Sequence, residues 1–213
     1  MGFNPEGHAY GEVARHRELM VLHWLCEQFA ARYDHLEALV GRGKVTVSRI
    51  VTELREAGCV ETRKIMLGEC MWVFPTQKGL KRCGLTYRPV PPKGISLAHI
   101  AAINDVRLQI QESSEETRWV SERQLVTEGP RGGHLPDGMA IHEQRRVAIE
   151  VELTKKIPSI VKAKLDALEP RFDAVLYFCS PAPYRQLTAL AQTGRWPNLG
   201  VRELPRSRAS GAR

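Results

Sequence analysis

The chain has 213 residues, 43% hydrophobic and 26% charged, which suits one large domain or two small ones with separate cores. Its net charge of +7 favours anionic partners, nucleic acid first; residues 1–94 hold 14 Lys/Arg against 10 Asp/Glu, and residues 95–213 hold 17 against 14. The five cysteines contain no Cys-x-x-Cys pair or zinc spacing, and no apolar run approaches the ~18–20 residues of a membrane span. Free thiols and the absence of a signal-peptide pattern lead us to expect a cytoplasmic protein with no membrane partner.

Residues 1–10 are polar, contain Gly and Pro, and are expected to fray. From Glu12 to Ala31 the apolar positions Val13, Leu22, Leu25 and Phe29 recur near helical spacing. A short helix from Asp34 to Val40 follows, with Asp34 as its candidate N-cap, and Gly41-Arg42-Gly43 breaks it. Thr46 is the candidate cap of a third helix reaching Ala57. Its Val47, Ile50, Val51 and Leu54 form one apolar stripe at i, i+3, i+4, i+7, and Gly58 ends it. Val60–Ile65 and Cys70–Phe74 read as a hairpin around Met66-Leu67-Gly68-Glu69, and Thr76 caps a helix over Gln77–Cys83. The order is that of a winged helix-turn-helix over residues 11–86.

The Pro-rich stretch Tyr87–Gly94 marks a linker, taken as residues 87–96. In the second unit, 97–204, Leu97–Gln111 reads as a helix. Trp119–Val126, Leu135–Ile141 and Arg146–Leu153 read as strands, Pro158–Leu168 as a helix, and Ala174–Cys179 as a strand. Pro183–Gln192 reads as a helix and Leu199–Leu204 as a last strand. Residues 205–213 are basic, rich in small side chains, and expected to be a disordered tail.

Two constellations carry chemistry. A major-groove reader needs a helix buried on one side with short polar and basic groups on the other. The third helix offers Thr46, Ser48, Arg49, Thr52 and Arg55. Arg42 and Lys44 precede them, and Arg63 and Lys64 stand where a wing would meet phosphates. The alternative is an ordinary solvated face, or a winged helix used for protein contact.

The second constellation joins Pro136-Asp137-Gly138 to Ala148-Ile149-Glu150-Val151-Glu152. Glu150 and Glu152 share a strand face, and two like charges in a buried strand are costly unless a cation neutralises them. Asp137 and Glu150 could meet across an antiparallel hairpin and hold Mg²⁺ or Mn²⁺, an ion able to activate water against a phosphodiester. Equally, a glutamate there could pair structurally with Lys155, Lys156 or Lys162. Two further groups stand near this site in the reading: His99, Asn104, Asp105 and Arg107 on the helix after the linker, read mainly as helix surface and a buried amide; and Glu122, which either joins the acids or faces water.

Residues 97–204 resemble the PD-(D/E)xK nuclease-like fold. Pro136-Asp137 stands as its PD element and Glu150-Val151-Glu152 as its (D/E)-x-K strand, with Glu152 in the usual place of the lysine. The whole chain resembles the replication-relaxation family of plasmid- and phage-associated proteins. That resemblance is carried by Leu54-Arg55-Glu56-Ala57-Gly58-Cys59-Val60, Thr76-Gln77-Lys78-Gly79-Leu80, His99 with Asn104-Asp105-Val106-Arg107, and the two acidic motifs. It implies a DNA-binding protein of mobile elements.

The sequence therefore predicts a mixed α/β chain, a winged helix followed by a nuclease-like α-β-β-β-α-β domain. The expected function is sequence-specific binding of double-stranded DNA, as a homodimer, in control of transcription or replication, with the nuclease-like domain inactive. The alternative is a metal-dependent DNA endonuclease using Asp137, Glu150, Glu152 and Lys155.

Overall fold

A computed structural model describes residues 5–65, 70–89, 94–128 and 133–208, with backbone alone for 5–11 and 94–96. The chain is mixed α/β and divides into two compact units, residues 1–94 and 95–210.

The first unit runs α1 (Pro5–Gln28), β1 (Ala31–Arg32), α2 (Tyr33–Val40), α3 (Lys44–Glu56), β2 (Val60–Arg63), β3 (Trp72–Pro75) and α4 (Gln77–Arg82). The expected helix to Ala31 stops early. Phe29 takes φ 67°, a left-handed conformation a helix cannot continue through, and Ala31 and Arg32 pair instead with Val73 and Trp72. Asp34 is not the cap of α2. That place belongs to Arg32, whose Nε and Nη2 both reach the Asp34 carboxylate at 2.9 Å. Thr46 likewise lies inside α3, because the Gly43 carbonyl already accepts from Thr46 N at 3.0 Å and Val47 N at 3.4 Å. Gly41, at φ 62°, closes α2 in the left-handed conformation that glycine adopts without penalty.

The sheet order is β1-β3-β2, antiparallel, with Val60 opposite Pro75 and Arg63 opposite Trp72. Both hairpin strands are shorter than the sequence suggests, and the turn 66–69 lies outside the described residues. Thr76 caps α4 as expected: its Oγ1 accepts from Gly79 N at 3.2 Å and donates to the Gly58 carbonyl at 2.7 Å. Gly79 is required there, since a β-carbon would stand 2.2 Å from the Cys59 carbonyl oxygen. Leu22, Leu25, Leu36, Val47, Leu54, Val73 and Leu80 form the fully buried centre of this unit.

The second unit runs α5 (Gly94–Ser113), β4 (Arg118–Ser121), α6 (Glu122–Glu128), β5 (Gly138–His142), β6 (Arg145–Glu152), α7 (Pro158–Leu168), β7 (Ala174–Cys179), α8 (Pro181–Gln192) and β8 (Leu199–Glu203). The strand expected through Val126 ends at Ser121, whose Oγ accepts from Gln124 N at 3.3 Å and opens α6. The sheet order is β4-β5-β6-β7-β8. The first three strands are antiparallel; β6, β7 and β8 are parallel, joined by α7 and α8.

Two cores follow from strand alternation. Ala148, Val175, Tyr177 and Cys179 pack with Val161, Leu165 and Leu168 of α7 and Leu187 of α8. Ile149, Val151 and Phe178 pack with Ile103 and Val106 of α5. The sheet is therefore covered by helices on both faces. Of the expected linker, residues 90–93 lie outside the described residues and α5 has begun by Gly94. Of the expected tail, residues 205–208 are held: Arg208 Nη2 meets the Glu112 carboxylate at 2.8 Å. Residues 209–213 lie outside the described residues.

Candidate functional site

The first candidate is the outer face of α3. Its Val47, Ile50, Val51 and Leu54 are buried, so the 3.6-residue period turns the remaining positions outward. Ser48, Arg49 and Arg55 are exposed, Thr46 and Thr52 half-buried, and Arg42 and Lys44 exposed at the helix entrance. Val45 is 86% exposed among them. Arg49 lies 3.9 Å from Glu53, a loose pair half open to solvent on both sides. On β2, Arg63 is engaged: it donates to Glu61 at 2.8 Å and lies over the Phe74 ring at 5.7 Å. Lys64 follows it, exposed.

The second candidate is a cleft of about 640 Å³ beside the C-terminal half of β6, lined among others by His99, Asp137, Glu150, Glu152, Lys164 and Tyr177. Strand alternation sends Glu150 and Glu152 to the α7 side of the sheet, the face of Ala148, while Ile149 and Val151 go to the α5 core. Asp137 stands just before β5, and its Oδ2 accepts from Val151 N at 2.7 Å across the hairpin. The next residue must be glycine for a different reason: a β-carbon at Gly138 would lie 2.2 Å from the Trp119 ring of β4.

The structure thus brings together Asp137, Glu150 and Glu152, but the basic partners are not those the sequence offered. Lys164 of α7 places Nζ 2.5 Å from Glu150 Oε2. Lys156 stands 3.8 Å from Glu152. His99 Nε2 is 3.1 Å from Asp137 Oδ1. Lys155 is exposed and lines a separate groove between α7 and α8, so it is not at the acidic site.

Lys164 was missed because it comes fourteen residues after Glu150 with no local motif to mark it. The available signal was its place within the Val161–Leu165 turn of the buried stripe of α7. His99, considered with Asn104 and Arg107, is the member of that group that reaches Asp137. Asn104, Asp105 and Arg107 are buried, and Arg107 donates to Gln111 at 3.1 Å and lies over Trp119 at 5.9 Å.

Burial and the neighbouring Asp137 push the Glu150 carboxyl up to about 8, only partly offset by Lys164. Burial, then Asp137, raises Glu122, which opens α6 close enough to feel both Asp137 and His99. Burial alone would raise Asp137, yet the His99 hydrogen bond and the charges of His99 and Lys164 hold it below the usual carboxylate range. Desolvation is outweighed at His99 by its bond to Asp137, and at Lys164 by the charge of Glu150, so both bases hold their protons more firmly than usual.

Most of the oxygens that a divalent ion would use are engaged within the protein, although Glu150 Oε1 is buried without a hydrogen-bond partner. Both Asp137 oxygens are engaged by His99 and the Val151 amide, and Lys164 takes one oxygen of Glu150. Among the described residues, no group of three or more His, Cys, Asp or Glu side chains is gathered to hold a metal. Lys164 and His99 supply part of the compensation that buried carboxylates require, and a retained proton supplies the rest at Glu150.

No family model matches the chain, and no curated protein matches it. Among solved structures, one described as "PigF with SAH" aligns over 96% of this chain at 14% identity and a TM-score of 0.24. This chain spans 63% of that structure's length, and a score at that level gives no shared fold to reason from. No helix among the described residues is long and apolar enough to cross a membrane.

Proposed function

We propose that the chain is a sequence-specific double-stranded DNA-binding protein whose first unit is a winged helix reading the major groove with α3. One observation carries the reading: α3 buries Val47, Ile50, Val51 and Leu54 and leaves Ser48, Arg49 and Arg55 open, with Arg42 and Lys44 at its entrance. Arg is the commonest specific partner of guanine, Ser and Thr hydrogen-bond several bases, and an exposed Val45 suits a thymine methyl. The element order from α1 through β3 and the three-stranded β1-β3-β2 sheet support the winged-helix reading. A two-fold dimer on paired half-sites follows from this mode of binding. The sequence resemblance to the replication-relaxation family supports a role for such binding in transcription or replication control of a plasmid or phage.

In this reading the second unit is a PD-(D/E)xK-like scaffold whose acids are neutralised internally. The test is selection from a random duplex pool. The wild-type chain enriches a defined motif, and the Arg49→Ala/Arg55→Ala variant enriches none. Enrichment of the same motif by that variant refutes α3 as the reader.

A second reading, a metal-dependent DNA endonuclease or nickase, is favoured by one observation. Lys164 stands at Glu150 and completes, from α7, an aspartate–glutamate–lysine set that position 152 lacks. Mn²⁺-dependent nicking of supercoiled plasmid that disappears in both Asp137→Ala and Lys164→Ala would establish it.

A further inference from the structure

We infer that the open groove between α7 and α8 is a second DNA contact, in which Lys155, Lys162 and Arg185 hold the phosphate backbone of the duplex. The inference rests on the DNA-binding reading and extends it to the second unit. The groove has a volume of about 1030 Å³ and an apolar floor that includes Pro158, Pro181 and Leu190. Three cations from two helices and a loop line it, and no Asp or Glu does. All three are exposed, and none has a carboxylate partner among the described residues.

That contrasts with the other two lysines of the same segment. Lys156 stands 3.8 Å from Glu152 and Lys164 2.5 Å from Glu150, so each has a carboxylate neighbour within the protein. Lys162 falls on the flank of α7 opposite Lys164, and Lys155 lies in the loop before the helix; both are offset only by solvent. Gln186 Nε2 of α8 donates to the Lys156 carbonyl at 3.0 Å, which ties the loop carrying Lys155 to α8.

Unpaired cations over an apolar floor are complementary to a sugar–phosphate chain: the cations take the phosphates and the floor takes the sugars. A lipid surface fits less well, since polybasic membrane contacts usually gather about four to eight Lys/Arg. No base edge is addressed by this arrangement, so the groove adds affinity without sequence preference.

The test compares the full-length wild type, the Lys155→Gln/Lys162→Gln/Arg185→Gln variant and the Arg49→Ala/Arg55→Ala variant. Binding to the selected duplex and to a scrambled duplex is followed by fluorescence anisotropy from 50 to 200 mM salt, with a thermal melt to check that each variant folds. Three phosphate contacts contribute a slope of about −2.7 in log K against log salt. The wild type therefore loses about 40-fold more affinity than the triple variant over that fourfold rise in salt. The loss is the same on both duplexes.

An unchanged slope in the folded triple variant overturns the groove as a DNA contact and leaves the α3 reading standing. A reduced slope with motif preference intact in Arg49→Ala/Arg55→Ala supports the groove and removes α3. No duplex binding by the wild type at 50 mM salt overturns both. Binding to phosphatidylserine vesicles that the triple substitution abolishes, with DNA binding untouched, also overturns the proposal.

Discussion

The α3 face and the acidic cleft treat charge in opposite ways. On α3, Arg49 and Arg55 sit in water over a fully buried apolar stripe, with at most one loose carboxylate neighbour, Glu53. In the cleft, Glu150 is buried and Asp137 partly so, and each is met by a base from a helix, Lys164 of α7 or His99 of α5. Desolvated charges demand neutralisation inside the fold, whereas exposed charges are weakly paired and remain available to a partner. The contrast teaches where charge is offset: on α3 chiefly by solvent, and in the cleft by neighbouring side chains and a raised carboxyl, with Glu150 Oε1 left without a partner.

Substitutions sharpen this contrast. The largest effect on stability is expected on the buried side of α3. Leu54→Ala removes a fully buried side chain and should cost about 2–5 kcal/mol, seen as a lower urea midpoint. Next comes the cleft. Lys164→Met strips Glu150 of its cation and should cost about 2–3 kcal/mol. The cost falls short of that of a fully enclosed pair because Lys164 is 26% exposed and Glu150 can accept a proton. The double variant Glu150→Gln/Lys164→Met should recover most of that loss, and a strictly additive loss would show that the two groups do not act as a pair.

A smaller effect is expected with pH. Glu150 rises from 4.5 to about 8 on folding, so the native state holds a proton the unfolded chain has released. Stability should therefore fall as pH climbs from about 5 to 8. His99, also raised, adds in the same direction, while lowered Asp137 acts in the opposite sense and only at acid pH. Glu150→Gln should flatten that slope, read from melting temperatures across the range. Smallest of all, Arg55→Ala should change stability by under about 0.5 kcal/mol while removing DNA recognition. A large stability loss there would mean that the outer face of α3 is structural.

The elements most legible in the sequence were those with both a periodic interior and a chemical start. Pro158 opens α7 and the β7 run Ala174–Cys179 is apolar, and both begin and end where the residues suggest. Thr76 was readable as a cap because its hydroxyl has a helix amide three residues on. Phe29 carries no such signal: its left-handed turn is imposed by the pairing of Ala31 and Arg32 with β3, a contact some forty residues distant. Trp119–Val126 alternates like a strand, yet its second half becomes α6 once Ser121 caps it.

In the cleft, Asp137, Glu150 and Glu152 were visible because the acids lie on adjacent strands of one hairpin. Their partners were not, since Lys164 and His99 arrive from helices whose faces only tertiary packing sets. Lys164 reaches Glu150 across space from α7, a contact that no local sequence pattern marks.

The most direct measurement is hydroxyl-radical footprinting of the full chain, read by mass spectrometry, with and without its selected duplex. Val45, at 86% exposure, is the natural reporter at the entrance of α3. The account predicts that oxidation of Val45 and of the Ser48–Arg55 segment falls when duplex is bound. Saturating DNA that leaves Val45 as reactive as in the free protein would contradict it.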